Sequence, residues 1–282
     1  MQDTLLPPAG MQARTASGAC PACGTPRPDR YCPSCGQRRR ERLSTEYVFR
    51  SLLSDAVGVN RGLVHTFVQL LRDPARVVKH YMAGHTVSYT NPASYLLLFA
   101  SITALLFVNS GGMEDAVRSF NEGFARGNVP ETMPLALRSI VAHTSVFVAL
   151  GVPMTALFSR AMFAGSGHNY AEHVVFNAYV LSHVGVFLGL VDLVGGWLVP
   201  SRSAASAVLL LVTALLVLAY YARAAIPVFG ERLVPGVLRS ASVLLMATSG
   251  FTTLTGLSGA AVAAMAANES SVVPAPTPRQ NR

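Results

Sequence analysis

The residues with the most specific chemistry are four cysteines. They fall in two knuckles, Cys20-Pro21-Ala22-Cys23-Gly24 and Cys32-Pro33-Ser34-Cys35-Gly36, with eight residues between them. Each C-x-x-C brings two thiolates onto one tight turn. The glycine after each second cysteine lets the backbone fold over the sulfurs. Two such turns supply four soft ligands in a tetrahedral set, which suits a structural Zn²⁺ ion. All four positions are filled by protein, whereas a catalytic zinc keeps one open. A redox role would need only one C-x-x-C in an α/β pattern. A module this short has little core, so the metal is expected to supply most of its folding free energy. Cysteines confined to this spacing point to a reducing compartment and not to a disulfide framework.

A second set of residues lies inside or beside long apolar runs. His143 falls in one run, and Glu172, His173, Asn177, His183 and Asp192 fall in or next to another. An ionisable group at membrane depth costs about 2.5–3.5 kcal/mol to insert, so each is a candidate site. His173 and Asn177 share a helix face at i,i+4, and so do Tyr179 and His183. Asp192 falls about half a turn round an ideal helix from His183, so a kink at Gly185 or Gly189 would be needed to bring them together. Several readings stay open. The histidines can be hydrogen-bonded to neighbouring helices. Glu172 and His173 can sit at the interface. The set can serve as a proton or ion site, or Glu172, His173 and another His can hold a catalytic metal. No H-E-x-x-H, G-x-S-x-G or P-loop motif appears, which disfavours an enzyme.

The elements that must position these residues follow from composition. The chain has 282 residues, 51% hydrophobic and 13% charged, with a mean hydropathy of +0.41. A soluble domain carries about 25% charged residues, so the deficit points to a lipid bilayer. Apolar runs at 93–109, 139–159, 174–199, 203–222 and 240–267 predict about five spanning helices. The glycines and Asp192 of the third run also allow a broken or re-entrant helix. In the fifth, Thr248, Thr252, Gly256, Ala260 and Ala264 form an i,i+4 ladder of small residues. It predicts close helix packing or a homo-oligomer contact. The first 14 residues lack the apolar core of a signal peptide, so the first span is expected to act as its own insertion signal. Residues 1–18 and 268–282 have the composition of disordered ends.

Between the cysteines (zinc ribbon, 19–37) and the bundle (93–267), residues 38–92 are expected to form a basic linker and amphipathic interfacial helices. Apolar residues recur at helical spacing over 45–72, with Gly58 and Gly62 as candidate breaks. Asp73, Pro74 and Gly84 punctuate a short helix as N-cap, first residue and stop. Such helices lie on the membrane with their apolar face down, or pack on the cytosolic face of the bundle. Of the 22 Lys+Arg residues, 12 lie in 1–92. With the N-terminus in the cytosol, inner segments hold 16 basic residues and outer ones 6, as the positive-inside rule asks. Few aromatics and no recognition helix accompany the basic head, which disfavours a nucleic-acid partner.

Three motifs carry a resemblance. The first is Tyr31-Cys32-Pro33-Ser34-Cys35-Gly36-Gln37 followed by a basic run. The second pairs Tyr81-Met82-Ala83-Gly84 with Tyr89-Thr90-Asn91-Pro92, and the third is Glu172-His173-Val174-Val175-Phe176. In this order they resemble the bacterial membrane family called domain of unknown function 3667. Between Gly84 and Tyr89 that family tends to carry basic residues. Here the stretch is His85-Thr86-Val87-Ser88, which argues against a headgroup-binding role for the stretch. The resemblance implies a bacterial inner-membrane location and a zinc ribbon, and no known activity. The expected chain is thus mainly α, a helical bundle in the inner membrane with a cytosolic zinc head. One expected function is a non-enzymatic interaction or scaffold module whose head docks a cytosolic protein. The other is a small transporter, channel or lipid-handling protein using the polar residues of the third span.

Overall fold

The computed structural model describes residues 19–20, 23–26, 31–36, 62–110, 144–198 and 204–250. These are mainly helical: α1 (Leu63–Arg72), α2 (Pro74–Met82), α3 (Pro92–Asn109), α4 (Thr144–Met162), α5 (Tyr170–Leu198), α6 (Ala204–Phe229) and α7 (Leu233–Gly250). Three stretches are long and apolar enough to cross a bilayer: Tyr170–Gly195, Ala204–Phe229 and Leu233–Gly250. Among the described residues, three such helices stand where five were expected. The apolar stretch Pro92–Leu106 of α3 is shorter, and α4 carries Pro153 inside it. The expected segments 1–18 and 268–282, and the parts of 38–92 and of the fifth span at 38–61 and 251–267, lie outside the described residues.

Each helix boundary has a local cause. Asp73 caps α2, its Oδ1 accepting from the Arg76 N–H at 3.1 Å, with Pro74 in the first turn. Gly84, at φ 100°, takes the left-handed backbone that ends the helix. The third apolar run begins four residues before the expected 174, because Asn169 and Glu172 form a reciprocal cap. Glu172 Oε2 accepts from the Asn169 N–H at 2.8 Å, and Asn169 Oδ1 accepts from the Glu172 N–H at 2.9 Å. α6 runs past the expected 222 to Phe229, because Arg223 does not end it: its Nη1 reaches the Leu71 carbonyl. α7 starts at Leu233, before the expected 240, with Arg239 paired to Glu231.

α5 is continuous over 29 residues and is not broken. Gly185 and Gly189, expected as kink points, are instead where α3 comes closest. A Cβ on Gly185 would stand 3.0 Å from Thr103 Oγ1, and one on Gly189 3.0 Å from Leu106 Cβ. This is small-xxx-small packing, which lets two backbones approach in lipid. Pairings of Tyr95 with His183, Thr103 with Gly185 and Leu106 with Gly189 make α3 parallel to α5. Ser159–His173 with Val152–Ala178, and Tyr221–Asn177 with Leu209–Gly195, set α4 and α6 antiparallel to it. Tyr95, Phe163, Phe176, Tyr179 and Tyr221 fill the core.

α1 and α2 close one end of this bundle. The Tyr220 hydroxyl donates to the Leu70 carbonyl at 3.1 Å, and the Tyr179 hydroxyl to the Thr90 carbonyl at 2.5 Å. Leu70, Val77, Val78 and Tyr81 are buried in the contact. α1 and α2 thus pack on the bundle through these residues. The described Lys and Arg residues share this end. Arg72, Arg76, Lys79, Arg160 and Arg232 lie in or beside its loops, and Arg223 and Arg239 about 9 Å along their helices.

Candidate functional site

The cysteine knuckles close on themselves through the backbone. The Gly24 N–H donates to the Cys20 carbonyl at 2.8 Å, and the Gly36 N–H to the Cys32 carbonyl at 2.9 Å. Gly24 and Gly36 sit at φ 73° and 70°, the left-handed region a side chain would strain. Ala19 and Pro26 bridge as an antiparallel pair across the first knuckle. The turns bring Cys20 Sγ to 3.6 Å from Cys35 Sγ, and Cys23 Sγ to 3.5 Å from Cys32 Sγ. All four sulfurs lie within 4.8 Å of one another. Disulfide sulfurs stand about 2.05 Å apart, so these pairs are not bridges. Four sulfurs each about 2.3 Å from one ion would stand about 3.8 Å apart, so this set fits a tetrahedral metal centre with little movement. The Thr25 hydroxyl, 3.3 Å from Cys23 Sγ, holds that thiol down at about 6, which favours the thiolate a metal needs.

The polar candidates of the bundle do not converge on one site. They separate into three groups along α5. At the end where α5 begins, Ser159 Oγ lies 2.8 Å from His173 Nδ1, both fully buried, and the His173 ring stacks on Phe229 at 4.6 Å. Asn177 donates to the His173 carbonyl and accepts from the Tyr221 hydroxyl at 3.0 Å. Midway, the Tyr95 hydroxyl lies 2.9 Å from His183 Nδ1, and Phe67 and Tyr220 flank the His183 ring. Towards the far end, the Ser110 hydroxyl donates to Asp192 Oδ2 at 2.5 Å. His183 and Asp192 stay apart because α5 is one continuous helix, which sets them about half a turn round from each other. Glu172 serves the helix cap, its Oε2 accepting from the Asn169 N–H. Nε2 of His173 and of His183 are each buried without a hydrogen-bond partner.

His143 lies outside the described residues, as do Thr252, Gly256, Ala260 and Ala264 of the small-residue ladder. Thr248 is described, and its hydroxyl donates back to the Leu244 carbonyl at 3.0 Å.

Sequence reasoning missed the partners: Tyr95, Ser110, Ser159 and Tyr221. No spacing rule links Tyr95 to His183 across 88 residues. The Asn169-x-x-Glu172 cap was visible in the sequence as a capping-box pattern.

No curated protein and no solved structure matches the chain significantly. One family model does match, over a segment that holds α1, α2, the Tyr89-Thr90-Asn91-Pro92 stretch and most of α3, and leaves out the cysteines and α5. Residues 60–104 match the family described as "Protein of unknown function (DUF3667)", the family that the sequence motifs resemble.

Proposed function

We propose that this chain is a non-enzymatic scaffold of the bacterial inner membrane, with a zinc-bound head in the cytosol that docks a protein partner. The observation that carries this reading is the sulfur cluster. Four cysteines within 4.8 Å can hold an ion, and a closed four-thiolate site has no open position for chemistry. Zn²⁺ suits four thiolates in tetrahedral array, and the ion would hold the two turns together. The polar groups of α5 support the same reading, because most are engaged in hydrogen bonds between or within helices. The gathering of Lys and Arg at the α1–α2 end supports a cytosolic orientation for that end. Five spans remain the proposed count, with α3 and α4 spanning beside the three long apolar helices.

A second reading is a small transporter or channel. Its specific support is the buried, unpartnered Nε2 of His173 and of His183, because orphaned polar atoms in a core are uncommon.

The test is capture from membranes by crosslinking, with the full chain and a Cys32→Ser/Cys35→Ser variant. The scaffold reading expects zinc bound to the wild type and lost in the variant. It also expects the crosslinked partner to vanish while membrane insertion and the melting of the bundle are unchanged. Partner capture that survives loss of the metal would overturn it. Proton-linked flux abolished by His183→Gln would support the transporter in its place.

A further inference from the structure

The corner between α1, α2 and the start of α3 gathers positive and titratable groups that the scaffold reading leaves unused. The turn after α2 folds residues 85–90 back over the helix. The His85 ring comes to 5.3 Å from that of His80, and the Tyr89 hydroxyl to 3.4 Å from His80 Nδ1. From α1, His65 packs against Tyr89 at 5.7 Å, and its Nδ1 lies 3.2 Å from the Ser88 carbonyl. Arg76, one turn before His80 on α2, is exposed and acts electrostatically on both His80 and Tyr89. Asp73 caps α2 and also acts on His80 and Tyr89, opposing Arg76. From α5 and α6, Tyr179, Tyr220 and Arg223 reach this end but contact Tyr81, Leu70 and Leu71. Residues 85–88 hold no Lys or Arg, but the fold sets His85 against His80, on which Arg76 acts.

Two apolar side chains flank the cluster. Val64 on α1 is 72% exposed, and Val87 in the loop is 55% exposed. Three residues after Tyr89 the chain enters the apolar α3, so the corner lies where a spanning helix leaves the headgroup layer. Exposed valines beside cationic groups at that depth match an interface of acyl chain and phosphate.

We infer that Arg76, His80, His85 and Tyr89 form a site for the phosphate of an anionic lipid headgroup, with Val64 and Val87 set in the acyl region. The inference rests on the membrane reading above. Its pH dependence follows from the surroundings. Burial holds both imidazoles below the ordinary histidine range, and for His80 the neighbouring His85 and Arg76 add to it. Near neutral pH the site therefore offers Arg76 and the Tyr89 hydroxyl. As the pH falls, His80 and His85 take up protons, and a bound phosphate favours that uptake. Affinity for an anionic lipid rises towards acid pH, by about fivefold for each cation gained near the surface.

The experiment uses the full chain reconstituted in phosphatidylcholine bilayers with a minority of spin-labelled phosphatidylglycerol. The immobilised fraction of the label is read from pH 7.5 to 5.5. The wild type is expected to hold more of the anionic label as pH falls, with no such rise for spin-labelled phosphatidylcholine. His80→Gln/His85→Gln is expected to remove the rise and keep the neutral-pH level. Arg76→Gln is expected to lower binding about fivefold at both ends of the range. An equal loss in Arg232→Gln, a cation at the same end but outside the cluster, would reduce the effect to general surface attraction and overturn the site. Displacement of the label by inorganic phosphate would assign the corner to free phosphate. A chain that does not reconstitute at all would overturn the membrane reading, and the site with it.

Discussion

α5 and α6 are similar in their apolar character and opposite in their placement. Both are apolar enough to span, α6 the more so, yet 61% of the α5 span is buried and only 11% of the α6 span. Along α5, Glu172, His173, Asn177, Ser182 and His183 are all buried. Along the first part of α6, Val208, Leu210, Leu211, Leu215 and Leu216 are exposed. In water the less polar helix would be the inner one. In lipid, hydrocarbon satisfies a leucine as well as a protein core does, while a histidine or asparagine needs a partner that only another helix can supply. The polar residues of α5 therefore mark it as the centre of the bundle. Its glycines add to this, because they allow α3 to approach.

Three substitutions sharpen the comparison. Gly189→Leu places a side chain where even a Cβ would stand 3.0 Å from Leu106. It is expected to cost about 3 kcal/mol or more by overpacking, read as loss of a monodisperse detergent-solubilised protein. Tyr221→Phe leaves Asn177 Oδ1 without its donor in the core. Its expected cost is about 1–2 kcal/mol, read as a lowered thermal unfolding midpoint of the purified bundle. Leu211→Ala on the exposed face of α6 is expected to change stability by less than about 0.5 kcal/mol, read as a nearly unchanged midpoint. A substitution at an exposed leucine of α6 that destabilised as much as Tyr221→Phe would contradict the assignment of inner and outer faces.

Parts of this architecture were legible in the sequence because they are local. The cysteine spacing anticipates the sulfur cluster, since each pair lies within one turn. Asp73, Pro74 and Gly84 announce α2 for the same reason. The span boundaries were less legible. Charges such as Arg223 and Glu172 read as ends of apolar runs, whereas in the fold they cap a helix or reach a neighbouring backbone. Gly185 and Gly189 carry no sign of whether they bend a helix or admit a neighbour. That depends on Thr103 and Leu106, which lie more than 80 residues earlier. The polar residues of α5 stood out as candidates, but their separation into three groups depends on Tyr95, Ser110, Ser159 and Tyr221. Those partners come from three other elements, which one-dimensional spacing does not join.

The bundle is held here to be turned inside out relative to a soluble core, with α5 shielded and α6 in contact with acyl chains. Tryptophan quenching by brominated lipids reads this directly. In a Trp197→Phe background, which removes the chain's one tryptophan, the probe is placed by Leu215→Trp on α6 or by Tyr179→Trp on α5. Lipids brominated at several acyl positions keep depth from deciding the result. Strong quenching of the α6 probe and little of the α5 probe is the predicted outcome. Equal quenching of both, or of neither, would contradict it.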